Sequence, residues 1–107
     1  MSEYRQHSYQ APAGATEILL VRHGESRAAS AANPFPLVDG HGDPELHANG
    51  EQQAILVGER LRNEAISAIY VSNLQRTQQT AAPLSQHLNL EPVIDADLRE
   101  VFLGEWE

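Results

Sequence analysis

Apolar and polar stretches alternate along this chain in a way that predicts strands and helices in turn. The short continuous apolar run Ile18–Val21 is typical of a strand buried on both faces, and we predict strand one at about 17–22. From His47 to about Glu64, apolar residues recur three or four positions apart, which predicts an amphipathic helix. A second apolar run, Ala68–Val71, predicts another short strand.

The second half of the chain continues this alternation. Ser72 and Asn73 have good helix-capping side chains, and a helix is predicted over about 73–88, with Pro83 expected to kink or interrupt it. Residues 89–94 then lead into a third strand at an edge of the sheet. Because strand, helix, strand and helix follow one another, we predict an α/β fold, with a mostly parallel sheet and helices on both faces.

Two segments have little regular pattern. Residues 1–16 show no periodicity and are predicted to form a flexible leader before a domain at 17–107. The long connection over 26–44 is rich in Ala, Pro and Gly, and it allows a helical turn over 25–32 that Pro34 would end. Connections of this length often line or cover a site.

The stretch Asp39–Pro44 combines turn-forming residues with acids and an imidazole. One interpretation is a turn that lines the mouth of a pocket. The other is a metal site built from the nearby acids and histidines, which are Asp39, His41, Asp43 and His47. Their spacing does not match paired ligands three or four residues apart on one helix face, so we favour the turn and predict no metal site.

Composition narrows the class of protein. The chain has 107 residues, enough for one small domain, and no cysteine, which excludes disulfides and thiolate metal sites. The formal net charge of -8 argues against nucleic acid or an anionic membrane as the main partner. No apolar run approaches the roughly 20 residues that span a bilayer, and no signal peptide opens the chain, so the cytoplasm is the expected location.

Basic residues stand at the ends of two predicted strands. Arg22 and His23 leave strand one, and Arg76 lies in the first helical turn after strand two. Because the carboxyl ends of parallel strands meet at one edge of a sheet, we expect these side chains to converge. The helix amino terminus near Asn73 would add N–H donors and a favourable dipole. All seven basic residues are arginines, whose planar guanidinium groups can form two parallel hydrogen bonds to one phosphate. The sequence therefore predicts a phosphate site, although each arginine taken alone fits a surface ion pair equally well.

Four motifs in order resemble those of the histidine phosphatase superfamily, also called the phosphoglycerate mutase-like family. Leu20–Ser26 (LVRHGES) resembles its hallmark, and Ser72–Ala81 (SNLQRTQQTA) resembles its S-x-L-x-R-x-x-Q-T-A helix. Asp43, Leu46, Gly50, Gln53 and Ala54 fit its D-x-x-L-x-x-x-G-x-x-QA spacing, and Leu98, Glu100, Gly104, Trp106 and Glu107 fit its L-x-E-x-x-x-G-x-W-E segment. The resemblance implies a phosphoglycerate mutase-like fold.

Roles follow from the resemblance residue by residue. It implies that His23 is the nucleophile that takes the phosphoryl group and that Arg22, Arg76 and Ser26 bind its oxygens. It also implies that Glu100 is the general acid that protonates the leaving alcohol, with Glu105 as a rival outside the matched position. No metal or other cofactor is implied.

Two departures from the family change what we expect of this chain. Ala29 stands where the family commonly has asparagine, so one polar phosphate contact is absent. Family domains are also much longer than 107 residues, and their later half brings a second histidine that grips the phosphoryl group. The chain thus resembles the amino-terminal half of such a domain, an apparently incomplete fold.

Three functions are open at this stage. The resemblance favours a phosphomonoester phosphatase that acts on a small phosphorylated substrate through a phosphohistidine intermediate. The alternatives are a catalytically inactive, truncated module that binds phosphate or self-associates, with a homo-oligomer as one outcome, and a phosphoglycerate mutase. The short spacing from Arg76 to Glu100 favours the phosphatase, because the mutase needs longer insertions that enclose its substrate.

Overall fold

The computed structural model describes residues 12–29 and 34–99. In chain order the described elements are strands β1 (Leu37–Val38) and β2 (His41–Gly42), helix α1 (Ala48–Leu61), strand β3 (Tyr70–Val71), helix α2 (Gln75–Leu88), strand β4 (Val93–Ile94) and a 3-10 turn (Ala96–Leu98). The α/β class is confirmed, and so are the two helices and the second and third strands, each within a few residues of its predicted bounds.

A tight hairpin occupies the segment for which the sequence left a turn or a metal site open. β1 pairs with β2 in antiparallel register, and the connection is Asp39–Gly40. Both connecting residues have positive φ, at 51° and 80°, as the two-residue turns that match strand twist require. The predicted turn is therefore confirmed.

The two helices pack against each other and form the centre of the described structure. α1 begins where the Nδ1 atom of His47 accepts the Asn49 N–H at 3.0 Å. A Cβ placed on Gly58 would lie 3.1 Å from both the Pro83 side chain and the Leu84 nitrogen, so glycine permits the close approach of α1 to α2. α2 is continuous through Pro83, where a kink or break was predicted. The buried apolar residues of the described chain are Leu46, Ala54, Val71, Leu74 and Leu84.

The parallel pairing is short. β3 pairs with β4 in register Tyr70↔Val93 and Val71↔Ile94, as expected for strands joined by a crossover helix. The chain then turns at Asp95, whose carboxylate accepts the Asp97 N–H at 2.9 Å, and the 3-10 turn follows. This sequence of elements brings residues 98 and 99 back toward the start of α2.

The prediction of strand one is wrong for this structure. Residues 15–25 form no strand, and Ile18 and Leu20 are 76% and 92% exposed, where burial on both faces was expected. The physical reason is pairing: a strand forms by hydrogen bonding to a neighbour, and within the described residues only β1–β2 and β3–β4 pair as strands. The apolar run is present, but it has no partner strand there.

Other predictions fall partly outside the described residues. Residues 25–29 are not helical, against the helical turn allowed over 25–32; instead Ser26 forms an isolated antiparallel bridge with Leu46. Of the leader, residues 12–16 contain neither helix nor strand, and residues 1–11 lie outside the described ranges. No helix within 12–29 or 34–99 has the length and apolar character that crossing a membrane demands.

Candidate active site

The segment that carries His23 is held by the two helices. The Gly24 N–H donates to the Thr80 hydroxyl of α2 at 3.0 Å. The Glu25 N–H donates to the Gln53 side-chain oxygen of α1 at 2.9 Å, and the Glu25 carbonyl accepts the His47 N–H at 2.8 Å. These three hydrogen bonds fix the backbone on the carboxyl side of His23, and the last of them belongs to the isolated bridge between Ser26 and Leu46.

Two glycines allow this docking. A Cβ on Gly24 would lie 2.6 Å from the Gly50 carbonyl oxygen, and a Cβ on Gly50 would lie 2.1 Å from the Glu25 carbonyl oxygen. Real Cβ atoms do not approach backbone so closely, so any larger residue at either position would push the segment away from α1. The segment therefore lies against the first turn of α1 at backbone contact distance.

The ring of His23 has a defined tautomer when neutral. Its Nδ1 atom lies 2.7 Å from the Gly24 carbonyl oxygen. A carbonyl oxygen can only accept a hydrogen bond, so Nδ1 carries the proton and the lone pair of the neutral ring lies on Nε2. A backbone contact one residue away thus orients the imidazole with Nε2 as its basic atom.

Arg76 is placed by the β2 end of the hairpin. This residue is 9% exposed on α2, and its Nη1 atom donates to the Gly42 carbonyl at 3.0 Å. The next residue, Asp43, accepts the Gln75 backbone N–H on its carboxylate at 2.7 Å and the Gln75 side-chain amide on its carbonyl at 2.6 Å. Gly42 and Asp43 together fix both the guanidinium and the start of its helix.

The amino terminus of α2 is not the open anion site that the sequence suggested. Asp43 occupies the Gln75 N–H, and the Ser72 hydroxyl accepts the Leu74 N–H at 3.2 Å. The prediction that Ser72 and Asn73 cap α2 is wrong, because the N-cap residue is Leu74 and no side chain of the preceding turn caps the helix. Instead the carboxylate of the distant Asp43 satisfies the first helical N–H and already uses the favourable end of the helix dipole. Side chains rather than these two amides are left to bind an anion.

One cavity of about 210 Å³ brings together three of the five site residues named from the sequence. Arg22, His23 and Arg76 all line it. A second, larger depression of about 450 Å³ is lined by Arg22, His23 and Ser26 with their neighbours, so Ser26 lies beside this group but not in the first cavity. Glu100 and its rival Glu105 lie outside the described residues.

Sequence reasoning missed the third arginine of that cavity. Arg99 lines it together with Leu98, and the described lining contains three arginines and no carboxylate. Arg99 donates from Nη1 to Asp39 Oδ2 at 2.9 Å, and the Asn73 amide donates to the same oxygen at 3.4 Å. Its place inside the last motif, between Leu98 and Glu100, was the available signal.

The residues considered for a metal site have other roles. Asp43 caps α2, His47 caps α1 and Asp39 pairs with Arg99. Among the described residues no cluster of three or more histidines, cysteines and acids has metal-binding geometry.

Comparisons with known proteins agree with the fold and with the motifs. The family model described as histidine phosphatase superfamily (branch 1) matches residues 18–107. A protein of Yersinia enterocolitica named "Probable phosphoglycerate mutase GpmB" is 41% identical over 91 residues, which are 85% of this chain and 40% of that protein. The chain therefore spans about 40% of the length of the curated relatives it matches.

Solved structures also resemble this chain in fold and in sequence. A mycobacterial glucosyl-3-phosphoglycerate phosphatase superposes with a TM-score of 0.66 and 30% identity, over 79% of this chain and 38% of that one. YhfR of Bacillus stearothermophilus superposes with a TM-score of 0.63 and 32% identity, over 80% of this chain and 41% of that one. The cavity with His23 and Arg76 is thus built on the motifs of a known family, and the chain belongs to the histidine phosphatase superfamily.

Proposed function

We propose that this chain carries the phosphoryl-accepting half of a phosphomonoester phosphatase that works through phosphohistidine. The observation that carries the proposal is the contact of His23 Nδ1 with the Gly24 carbonyl, inside a cavity that Arg22 and Arg76 also line. This arrangement leaves Nε2 of His23 as the nucleophilic nitrogen, in a cavity that also contains two guanidinium groups. Transfer of a phosphoryl group without a metal requires such a combination.

The proposed reaction has two steps. In the first, the lone pair of His23 Nε2 forms a bond to phosphorus while the ester P–O bond breaks, and the departing oxygen takes a proton from Glu100. Arg22, Arg76 and Ser26 bind the phosphoryl oxygens, whose charge spreads during transfer. In the second step, water gives a proton to the Glu100 carboxylate and attacks phosphorus, the P–N bond breaks, and inorganic phosphate and the free imidazole are released.

One property of a related protein and the family match of this chain support the proposal. The mycobacterial glucosyl-3-phosphoglycerate phosphatase has been solved with VO3 and with inorganic phosphate, so a protein of this fold binds phosphate and a vanadium oxyanion. The matched segment of our chain includes His23 and Arg76, since the family model covers residues 18–107. Glu100 lies in that segment too, and its role comes from the resemblance of its motif.

The test is to trap phosphate on the imidazole. The 107-residue chain is incubated with radiolabelled acetyl phosphate, quenched, and analysed for phosphate that is labile in acid and stable in alkali. We expect label on His23 and none in His23→Ala, whereas His87→Ala, an exposed histidine near the end of α2, keeps the label. Label that persists in His23→Ala, or an unlabelled parent chain that also fails to bind vanadate, would overturn the proposal.

A phosphoglycerate mutase is the second candidate, because curated relatives at 41% identity carry that name. The two functions differ in where the phosphoryl group goes after His23. A mutase returns it to a second hydroxyl of phosphoglycerate, whereas a phosphatase gives it to water. Phosphohistidine that is discharged by phosphoglycerate into a doubly phosphorylated product, and only slowly by water, would decide for the mutase.

A further inference from the structure

We infer that Arg99 is a specificity-determining residue, which binds a second acidic group of the substrate and directs the site toward phosphomonoesters that also carry a carboxylate. The inference rests on the proposed function, because it places the phosphate at His23 and Arg76. It deepens that proposal by naming the chemical class of the organic part.

The first step is the position of Arg99. Pairing of β4 with β3 brings the chain back beside the start of α2, where the Asp95 N–H donates to the Val71 carbonyl at 2.8 Å. The 3-10 turn then ends at Arg99, whose own N–H donates to the Ala96 carbonyl at 3.2 Å. Arg99 thereby reaches the cavity from an element that carries neither His23 nor Arg76, which it faces across the same space.

The second step is charge. Arg22 and Arg76 suffice for the oxygens of one phosphoryl group, since each guanidinium can form two parallel hydrogen bonds. A third arginine in the same described lining brings positive charge beyond what one phosphate needs, and its counterion is Asp39 on the hairpin rather than a carboxylate of the lining. An ester with a carboxylate near its phosphate would supply the matching negative charge.

The third step is the state of Arg99 in this structure. The Asp39 carboxylate pairs with its Nη1 atom only, and the Asp39 side chain is 67% exposed on the turn of the hairpin. The Arg99 side chain is only 21% exposed, but its partner carboxylate lies mostly in solvent and contacts one Nη atom, so a substrate carboxylate can displace Asp39 or bind at the remaining donors of the fork. Asp39 then acts as a counterion that keeps Arg99 extended toward the site when no substrate is bound.

The test compares three ligands of similar size that differ in one charge. Binding of 2-phosphoglycolate, ethyl phosphate and phosphoethanolamine to the 107-residue chain is measured by calorimetry, with inorganic phosphate as the reference. We expect 2-phosphoglycolate to bind about tenfold more tightly than ethyl phosphate, the scale of one charged hydrogen bond. Phosphoethanolamine, which brings a positive charge toward Arg99, should bind least tightly.

Variants of Arg99 and Asp39 should change the preference for 2-phosphoglycolate in opposite directions. Arg99→Gln should remove the tenfold preference while affinity for inorganic phosphate stays within about twofold, and Arg99→Lys should retain part of it. Asp39→Asn should increase the preference, because it removes the competing carboxylate. Arg62→Gln is the matched control: it removes the same charge from an exposed residue at the end of α1 that lines neither cavity, and should change nothing.

The outcomes separate this inference from the proposed function. If the chain binds inorganic phosphate but Arg99→Gln weakens all ligands equally, the Asp39–Arg99 pair only pins the hairpin to the 3-10 turn, and the inference is overturned alone. A preference that falls in Asp39→Asn also overturns it. If the parent chain does not bind phosphate at all, both proposals are overturned together.

Discussion

Substitution of Gly50 by alanine should detach the segment that carries His23 from helix α1. The added Cβ would lie 2.1 Å from the Glu25 carbonyl oxygen and 2.8 Å from the Glu25 nitrogen. Both contacts are to backbone, so no flexible side chain can move aside to relieve them. Either the segment leaves the helix or the first turn of α1 unwinds.

The magnitude follows from the contacts that this movement breaks. Three hydrogen bonds hold the segment: Gly24 to Thr80, Glu25 to Gln53, and His47 to Glu25. At a net value of about 1 kcal/mol each, their loss costs about 3 kcal/mol. Alanine inside a helix returns about 1 kcal/mol relative to glycine. We therefore expect the free energy of unfolding to fall by about 2 kcal/mol, although intrinsic helix propensity alone predicts a gain.

The assay pairs urea unfolding with phosphate binding. Gly50→Ala should lower the unfolding midpoint and abolish measurable binding of inorganic phosphate, because His23 loses its position relative to Arg76. Asn49→Ala is the control, since it raises helix propensity at an exposed neighbouring position of α1 and adds no backbone clash. A Gly50→Ala protein as stable as Asn49→Ala, with phosphate affinity intact, would refute the account of the glycine contact.

The remaining predictions concern a phosphate ligand, a helix cap and the exposed apolar run. Arg76→Ala should weaken phosphate binding by about 1.5–3 kcal/mol in calorimetry, and Arg76→Lys should restore only part of it because the fork is lost; equal affinity in all three proteins would contradict this role. Asp43→Ala should cost about 1 kcal/mol in urea unfolding by uncapping α2, and an unchanged midpoint would contradict the capping role. We predict that the 107-residue chain self-associates through Ile18–Val21. In sedimentation, Leu20→Asp should shift the chain toward monomer, whereas Leu56→Asp, at another exposed leucine, should not. A parent chain that is monomeric at high concentration would contradict this prediction.

Local pattern was sufficient for the helices and for the turn. The spacing of apolar residues located α1 within a few residues. The polar turn residues Ser72 and Asn73, which follow an apolar run, located α2 equally closely. The turn-forming residues of Asp39–Pro44 predicted a turn but not the hairpin strands on either side of it, and the structure places that turn at Asp39–Gly40, where the backbone adopts positive φ twice in succession. These features depend on residues that are close in sequence or on a single packed face, and both can be recognised from the order of residues in one chain.

The cap of α2 and the third arginine were not predictable in the same way. Ser72 and Asn73 looked like the cap because they directly precede the helix, yet Asp43, more than thirty positions earlier, binds the first helical amide. Arg99 enters the cavity only because β4 pairs with β3 and turns the chain back. Both depend on contacts between distant segments, which single-sequence patterns do not contain.

The failed prediction of strand one shows why the site can exist without it. An apolar run forms a buried strand only when a neighbouring strand can pair with it. Ile18–Val21 has no such neighbour among the described residues. The residues that follow are nonetheless fixed, because Gly24 and Glu25 bind α1 and α2 through Thr80 and Gln53. The position of His23 therefore depends on the packing of two helices that the chain does contain. Phosphate binding should accordingly be lost in the same urea transition that separates α1 from α2, and loss of binding well before that transition would show that the run at 18–21 controls the site after all.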